Sequence, residues 1–185
     1  MKIAVYSGSF NPLHKGHLAI MKYLTSCGGF DGVYLVVSPK NPLKEGIGAD
    51  SAPERFAAAV NALSRYPELS VKVDDIELTM EPPHYTVRTL DALKRREPEN
   101  DFTLIIGADN LASFRQWRDY GRILEEYGVC VYPRKGFDIA SDREDLIREN
   151  QKYTINIIDA PMVDVSSTQI RDGEAAGRNM SEFKI

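Results

Sequence analysis

The strongest constraint on the fold is a set of short, nearly unbroken apolar runs. They occupy residues 3–6 (IAVY), 33–37 (VYLVV), 102–106 (FTLII), 129–132 (VCVY) and 155–158 (INII). A strand with one wet face alternates polar and apolar residues, whereas an unbroken run must be covered on both faces. Helix-forming segments lie between the runs. Residues 18–24 have helical spacing, and Ser51-Ala-Pro-Glu54 is a capping box followed by Phe56, Val60 and Leu63 on one face, ended by Pro67. Thr86 is placed to cap a helix carrying Val87, Leu90 and Leu93, which stops before Pro98, and the helix of Ile123 and Leu124 stops at Gly128. Residues 41–52 read as a loop, and residues 71–78 as one or two strands. Strand–helix alternation of this kind predicts an α/β protein: a single doubly wound, Rossmann-like domain with a mostly parallel sheet, spanning residues 1–185. Such sheets bind ligands beyond the carboxyl ends of their strands. The residues to inspect therefore follow Tyr6, Val37, Ile106 and Tyr132.

Bulk properties narrow the partner. The net charge is −4, which supplies no overall field for polymeric nucleic acid or an anionic membrane, so an anionic substrate needs a local basic pocket. Cys27 and Cys130 are far apart and outside any CxxC pair, so a disulfide framework and a structural zinc are not expected and a reducing cytoplasm is. The first apolar stretch is too short for a secretion signal, and no run is long enough to cross a bilayer. The sequence leaves self-association open.

Two segments carry chemistry. The first, Gly8-Ser9-Phe10-Asn11-Pro12-Leu13-His14-Lys15-Gly16-His17, leaves the first strand through a glycine turn and opens a helix. Backbone N–H groups at a helix start attract anions, Gly16 permits close approach of a phosphate, and two imidazoles three residues apart can face one anion. A histidine that only caps the turn is the plainer alternative. The second segment, Ser166-Ser167-Thr168-Gln169-Ile170-Arg171, offers a helix cap, further hydroxyls and, one turn in, a guanidinium. By itself it also suits an ordinary capped helix with a surface arginine.

Together, His14-Lys-Gly-His17 and Ser166-Ser-Thr-Gln-Ile-Arg171 resemble the paired HxGH and SSTxxR signatures of the nucleotidyltransferase superfamily. Three more segments narrow the resemblance: Pro42-Leu-Lys44, His84-Tyr85-Thr86, and Gly107-Ala-Asp109 with Phe114-Arg-Gln-Trp117 downstream. This series is similar to bacterial nicotinate (nicotinamide) mononucleotide adenylyltransferases from residue 1 to about residue 173. The resemblance implies transfer of AMP from ATP to nicotinate mononucleotide, with release of pyrophosphate, and with Mg2+ accompanying the ATP. It implies that His14, His17, Lys44 and Arg171 act on the reacting phosphates. Gly8, Ser9, Phe10, Gly107, Asp109, Arg134, Ser166, Ser167 and Thr168 would line the ATP side. Tyr85, Thr86 and Trp117 would hold the pyridine mononucleotide, with no protein-built metal cage. Leu43 departs from the histidine often found before the lysine, and after residue 173 either the tail is short for the family or the chain is truncated. A phosphopantetheine adenylyltransferase and a nonenzymatic nucleotide-binding module are the competing readings. The choice between acid and amide acceptor is not readable from the sequence.

Overall fold

In the computed structural model, which describes residues 1–39 and 51–185, six parallel strands form one sheet in the order β3-β2-β1-β4-β5-β6. The strands are β1 (Lys2–Gly8), β2 (Gly32–Val37), β3 (Val71–Asp74), β4 (Asp101–Gly107), β5 (Val129–Tyr132) and β6 (Ile155–Ile157). β1 pairs in parallel with β2 on one side and with β4 on the other. The order of the chain reverses between those neighbours, which makes a topological switch point with its crevice at their carboxyl ends. The expected "mostly parallel" sheet is wholly parallel among the described residues.

The unbroken apolar runs have the predicted cause. On one face, Ala4, Tyr6, Leu35 and Val37 pack against Met21 and Leu24 of α1 (Lys15–Ser26) and Ala59 and Ala62 of α2 (Ala52–Leu63). On the other, Ile3, Val5, Leu104 and Ile106 pack against Leu90 and Leu93 of α4 (Thr86–Arg96), Leu111 of α5 (Ala108–Ala112) and Leu146 of α7 (Ile139–Glu149). Leu90 and Leu93 have no exposed surface, so each contributes roughly 1.5–3 kcal/mol by burial.

Three local expectations are corrected. Residues 71–78 are not all strand: β3 ends at Asp74 and α3 (Ile76–Thr79) follows. Asp74 causes the break, because its buried carboxylate accepts the Ile76 N–H at 3.1 Å and a bidentate pair from Arg96 at 3.0 and 2.6 Å. Thr86 does not cap α4; it is the first helical residue, and Tyr85 stands at the cap without a side-chain bond. Val60 is 46% exposed, and the buried face of α2 is Arg55, Ala59, Ala62 and Leu63. The capping box at Ser51 and Glu54 forms as expected. Lys44, Pro42, Leu43 and most of the predicted loop lie outside the described residues.

The candidate active site

The crevice at the switch point is built first by the β1–α1 connection. Phe10 takes a left-handed backbone (φ 46°) and turns its ring inward, edge-on to Tyr6 at 5.4 Å and to His17 at 5.0 Å. His14 caps α1: its Nδ1 accepts the Gly16 N–H at 3.1 Å. The His14 N–H in turn donates to Nδ1 of His17 at 3.2 Å. The two rings stack with centroids 3.6 Å apart. Because both Nδ1 atoms accept, each neutral ring carries its proton on Nε2, and both are donors on that side. Burial, reinforced by the positive charge of Arg134, pushes the His14 pKa down to about 4. Burial, with His14 and Arg134 adding to it, also holds His17 well below the ordinary histidine value. Both imidazoles are thus neutral N–H donors near pH 7. Capping and site roles coincide in His14.

The second motif closes onto this loop. Ser166 caps α8 (Ser167–Ala175) through the Gln169 N–H. The Ser167 hydroxyl donates to the Pro12 carbonyl at 3.0 Å, and Arg171 donates to the Asn11 carbonyl at 2.6 Å and to the Thr168 hydroxyl at 3.2 Å. Segments about 150 residues apart in the sequence are therefore one hydrogen-bonded body. Beyond them, Lys184 pairs its backbone with that of His14 as an isolated antiparallel bridge.

At the end of β4, a Cβ on Gly107 would stand 2.4 Å from Asp109 Oδ1 and 3.1 Å from the Tyr132 ring, so only glycine lets the Asp109 carboxylate fold back there. Asp109 does not cap α5. Its Oδ1 is buried without a hydrogen-bond partner, 3.6 Å from the Arg134 guanidinium. Arg134 also lies over the Tyr132 ring at 5.5 Å, and its field reaches both histidines.

The remaining predicted residues among those described, Tyr85, Thr86 and Trp117, lie on two further segments. Tyr85 is 43% exposed and is not core. Trp117 is half-buried, tilted on the buried Phe114 ring at 4.8 Å. Arg118 bridges the two segments, its guanidinium 5.9 Å from the Tyr85 ring centroid. The third histidine, His84, is engaged elsewhere, with Nε2 2.9 Å from the Met80 carbonyl.

Sequence reasoning missed Arg55, which is 3% exposed and donates to the Ser9 carbonyl at 2.5 Å, holding the turn before Phe10. The signal was present: Arg55 shares helical spacing with Ala59 and Ala62, a charge on an apolar face. It also missed Tyr132 and Arg118, which carry no local signature. No cluster of three His, Cys, Asp or Glu suited to a metal exists among the described residues.

The profile of the cytidylyltransferase-like family matches residues 5–173, a span that contains both signature segments and nearly all of the sheet. The chain belongs to that family. A probable nicotinate-nucleotide adenylyltransferase of Flavobacterium johnsoniae is 38% identical over 97% of this chain and 90% of its own length. One from Bacteroides fragilis is 39% identical over 98% and 86%. Among solved structures, Plasmodium falciparum nicotinic acid mononucleotide adenylyltransferase complexed with NaAD superposes with a TM-score of 0.78 at 17% identity, over 98% of this chain and 87% of that one. A putative nicotinate-nucleotide adenylyltransferase from Vibrio parahaemolyticus gives 0.64 at 22%, over 99% and 86%. At those identities the two structures speak for the shared fold. For a member of this family, the neutral histidine pair, Arg171 and Arg134 gather donors and positive charge in one crevice. That arrangement suits polyanionic phosphates and contains no Ser–His or carboxylate-dyad machinery. Nucleotidyltransferases of this family work with a divalent metal. The histidines are poor ligands for it, since each Nε2 carries the proton, but the orphan Asp109 oxygen is a hard donor that suits such an ion.

Proposed function

We infer that this protein is a nicotinate-nucleotide adenylyltransferase, moving AMP from ATP onto nicotinate mononucleotide to give deamido-NAD and pyrophosphate. The observation that carries the reading is the pair of neutral histidine Nε2–H donors, joined through Ser167 and Arg171 to α8. The curated relatives' names support the same acceptor.

The acceptor phosphate is already ionised near neutral pH, so no general base is required. One of its oxygens attacks the α-phosphorus of ATP, the bond from that phosphorus to the bridging oxygen breaks, and pyrophosphate leaves with the electron pair. Catalysis is then alignment plus stabilisation of charge on the α-phosphate and the leaving group. His17 donates from Nε2 to the α-phosphate. His14, Lys44 and Arg171 hold the triphosphate, with Ser166, Ser167 and Thr168 on its outer phosphates and the Gly8–Phe10 turn beneath. Gly107 and Asp109 line the nucleoside side, and Arg134 adds charge. Asp109 is the side chain best suited to help hold a divalent ion such as Mg2+ arriving with ATP, which would neutralise phosphate charge.

On the acceptor side, Trp117 stacks on the pyridine ring, with Tyr85 and Thr86 beside it. α4 begins there without a side-chain cap, so its first N–H groups favour a carboxylate over an amide. The whole chain, residues 1–185, acts as one catalytic unit. Among the described residues no helix is long and apolar enough to cross a membrane, and with free cysteines at 27 and 130 the cytoplasm is the proposed site of action.

Pyrophosphate release with ATP and Mg2+ and each of three acceptors tests the reading. Nicotinate mononucleotide should give the highest kcat/KM. Equal use of the amide would remove the nicotinate assignment, and turnover of phosphopantetheine alone would overturn the acceptor class.

A further inference from the structure

We propose that Glu149, the last residue of α7, is a positioning residue for the acceptor: it holds the segment that carries Trp117 in its binding geometry. This rests on the reading of Trp117 as the pyridine platform. Glu149 is remote from the reacting phosphates in the sequence motifs, yet its carboxylate gathers both ends of that segment. Arg115 donates to Oε2 at 3.0 Å and the Tyr120 hydroxyl donates to Oε1 at 2.5 Å. Trp117 lies between these two anchors. The Tyr120 ring packs edge-on to Tyr153 at 6.4 Å, and the hydroxyls of Tyr120 and Tyr153, with Arg115, hold the Glu149 carboxyl below the usual range.

The segment needs such an anchor. It contains only a three-residue 3-10 turn, Phe114–Gln116, and then Asp119 with a left-handed backbone at φ 52°, ahead of α6 (Tyr120–Arg122). A non-glycine residue there is strained and persists only where its surroundings fix it. The Phe114 ring fixes the inner side of Trp117, and the backbone bonds Trp117 N–H to Phe114 and Tyr120 N–H to Trp117 close the two turns at 3.0 and 3.3 Å. The outer side is fixed by Glu149. Without it, Arg115 and Tyr120 are released together, and the indole and Arg118 lose their fixed relation to Tyr85.

Trp117 is the single tryptophan of the chain, so its emission reports on this segment directly. The test compares wild type with E149A, E149Q and W117A. E149A should raise KM for nicotinate mononucleotide about three- to tenfold, in line with the loss of two exposed polar contacts, while KM for ATP and kcat stay near wild type. E149Q, which keeps one acceptor, should fall between. E149A should also red-shift the emission and open it to acrylamide quenching, and it should add nothing to the KM of W117A in the double variant. If W117A raises KM while E149A changes neither KM nor emission, the Glu149 proposal is overturned and the platform stands. If W117A leaves KM unchanged, the platform falls and this proposal falls with it.

Discussion

Replacing Gly16 by alanine adds one carbon at the point where the two motif histidines meet. That Cβ would stand 2.9 Å from Cε1 and 3.0 Å from Nδ1 of His14. Contacts so short force a shift, and His14 has little freedom to give: it is 5% exposed, bonded through Nδ1 to the Gly16 N–H and stacked on His17. Moving the imidazole gives up that hydrogen bond, worth about 0.5–1.5 kcal/mol, and part of a ring contact worth about 0.5–1.5 kcal/mol. A loss of roughly 1–3 kcal/mol follows, or about 3–9 °C in Tm for a domain of this size. The effect on the reaction should be larger. His14 N–H also holds Nδ1 of His17, so displacement of one ring misaims the other. Misplacement of a catalytic group by about 1 Å costs on the order of 10² in rate. Pyrophosphate release at saturating substrates should therefore show kcat lowered about 10²-fold in a protein that still melts cooperatively. A folded G16A with wild-type kcat would refute the claim that the stacked pair is the donor.

Three other outcomes are expected. H17A should retain ATP binding and lose on the order of 10²–10³ in kcat, as for removal of one donor to a developing oxyanion; an unchanged kcat takes His17 out of the reaction. On the proposed triphosphate role of Arg171, R171K should weaken ATP more than the acceptor, because the fork that bonds Asn11 and Thr168 becomes a point charge; equal loss for both substrates would place Arg171 outside the triphosphate site. Stability should fall in mild acid. The His14 pKa is about 4 in the fold against 6.5 unfolded, so between those values the unfolded chain binds more protons and unfolding free energy rises with pH. The contribution is fully present above about pH 6.5 and loses about 3 kcal/mol as pH falls to about 4. Urea unfolding across that window measures it, and an H14Q variant with the same slope as wild type would count against this origin.

Much of the fold was legible because burial on both faces leaves a mark at every strand position. The runs IAVY, VYLVV and FTLII read as buried strands and are central strands of the parallel sheet, and the glycine turn, cap residues and His14–His17 spacing placed the candidate anion site at their carboxyl ends. Two of the misread places share one cause: side chains from distant segments outvoted local preference. Asp74 ended β3 early because Arg96, on α4, holds its carboxylate. Arg55 turned α2 so that a charge faces inward, because the Ser9 carbonyl is there to accept it.

By itself the sequence determined the class of chemistry. Two histidines around a glycine, and a hydroxyl-rich cap followed by Arg171, carry donors and positive charge that suit phosphates wherever they fold. The local fold of the helix start decided which nitrogen of each imidazole carries the proton, because the Gly16 and His14 amides point at the two Nδ1 atoms, and the rest was left to the tertiary structure. It alone joined α8 to the first loop through Ser167 and Arg171, and set Arg118 over Tyr85. Periodicity encodes which side of an element is buried. It does not encode which carbonyl, ring or carboxylate arrives from another element to meet the side chain there.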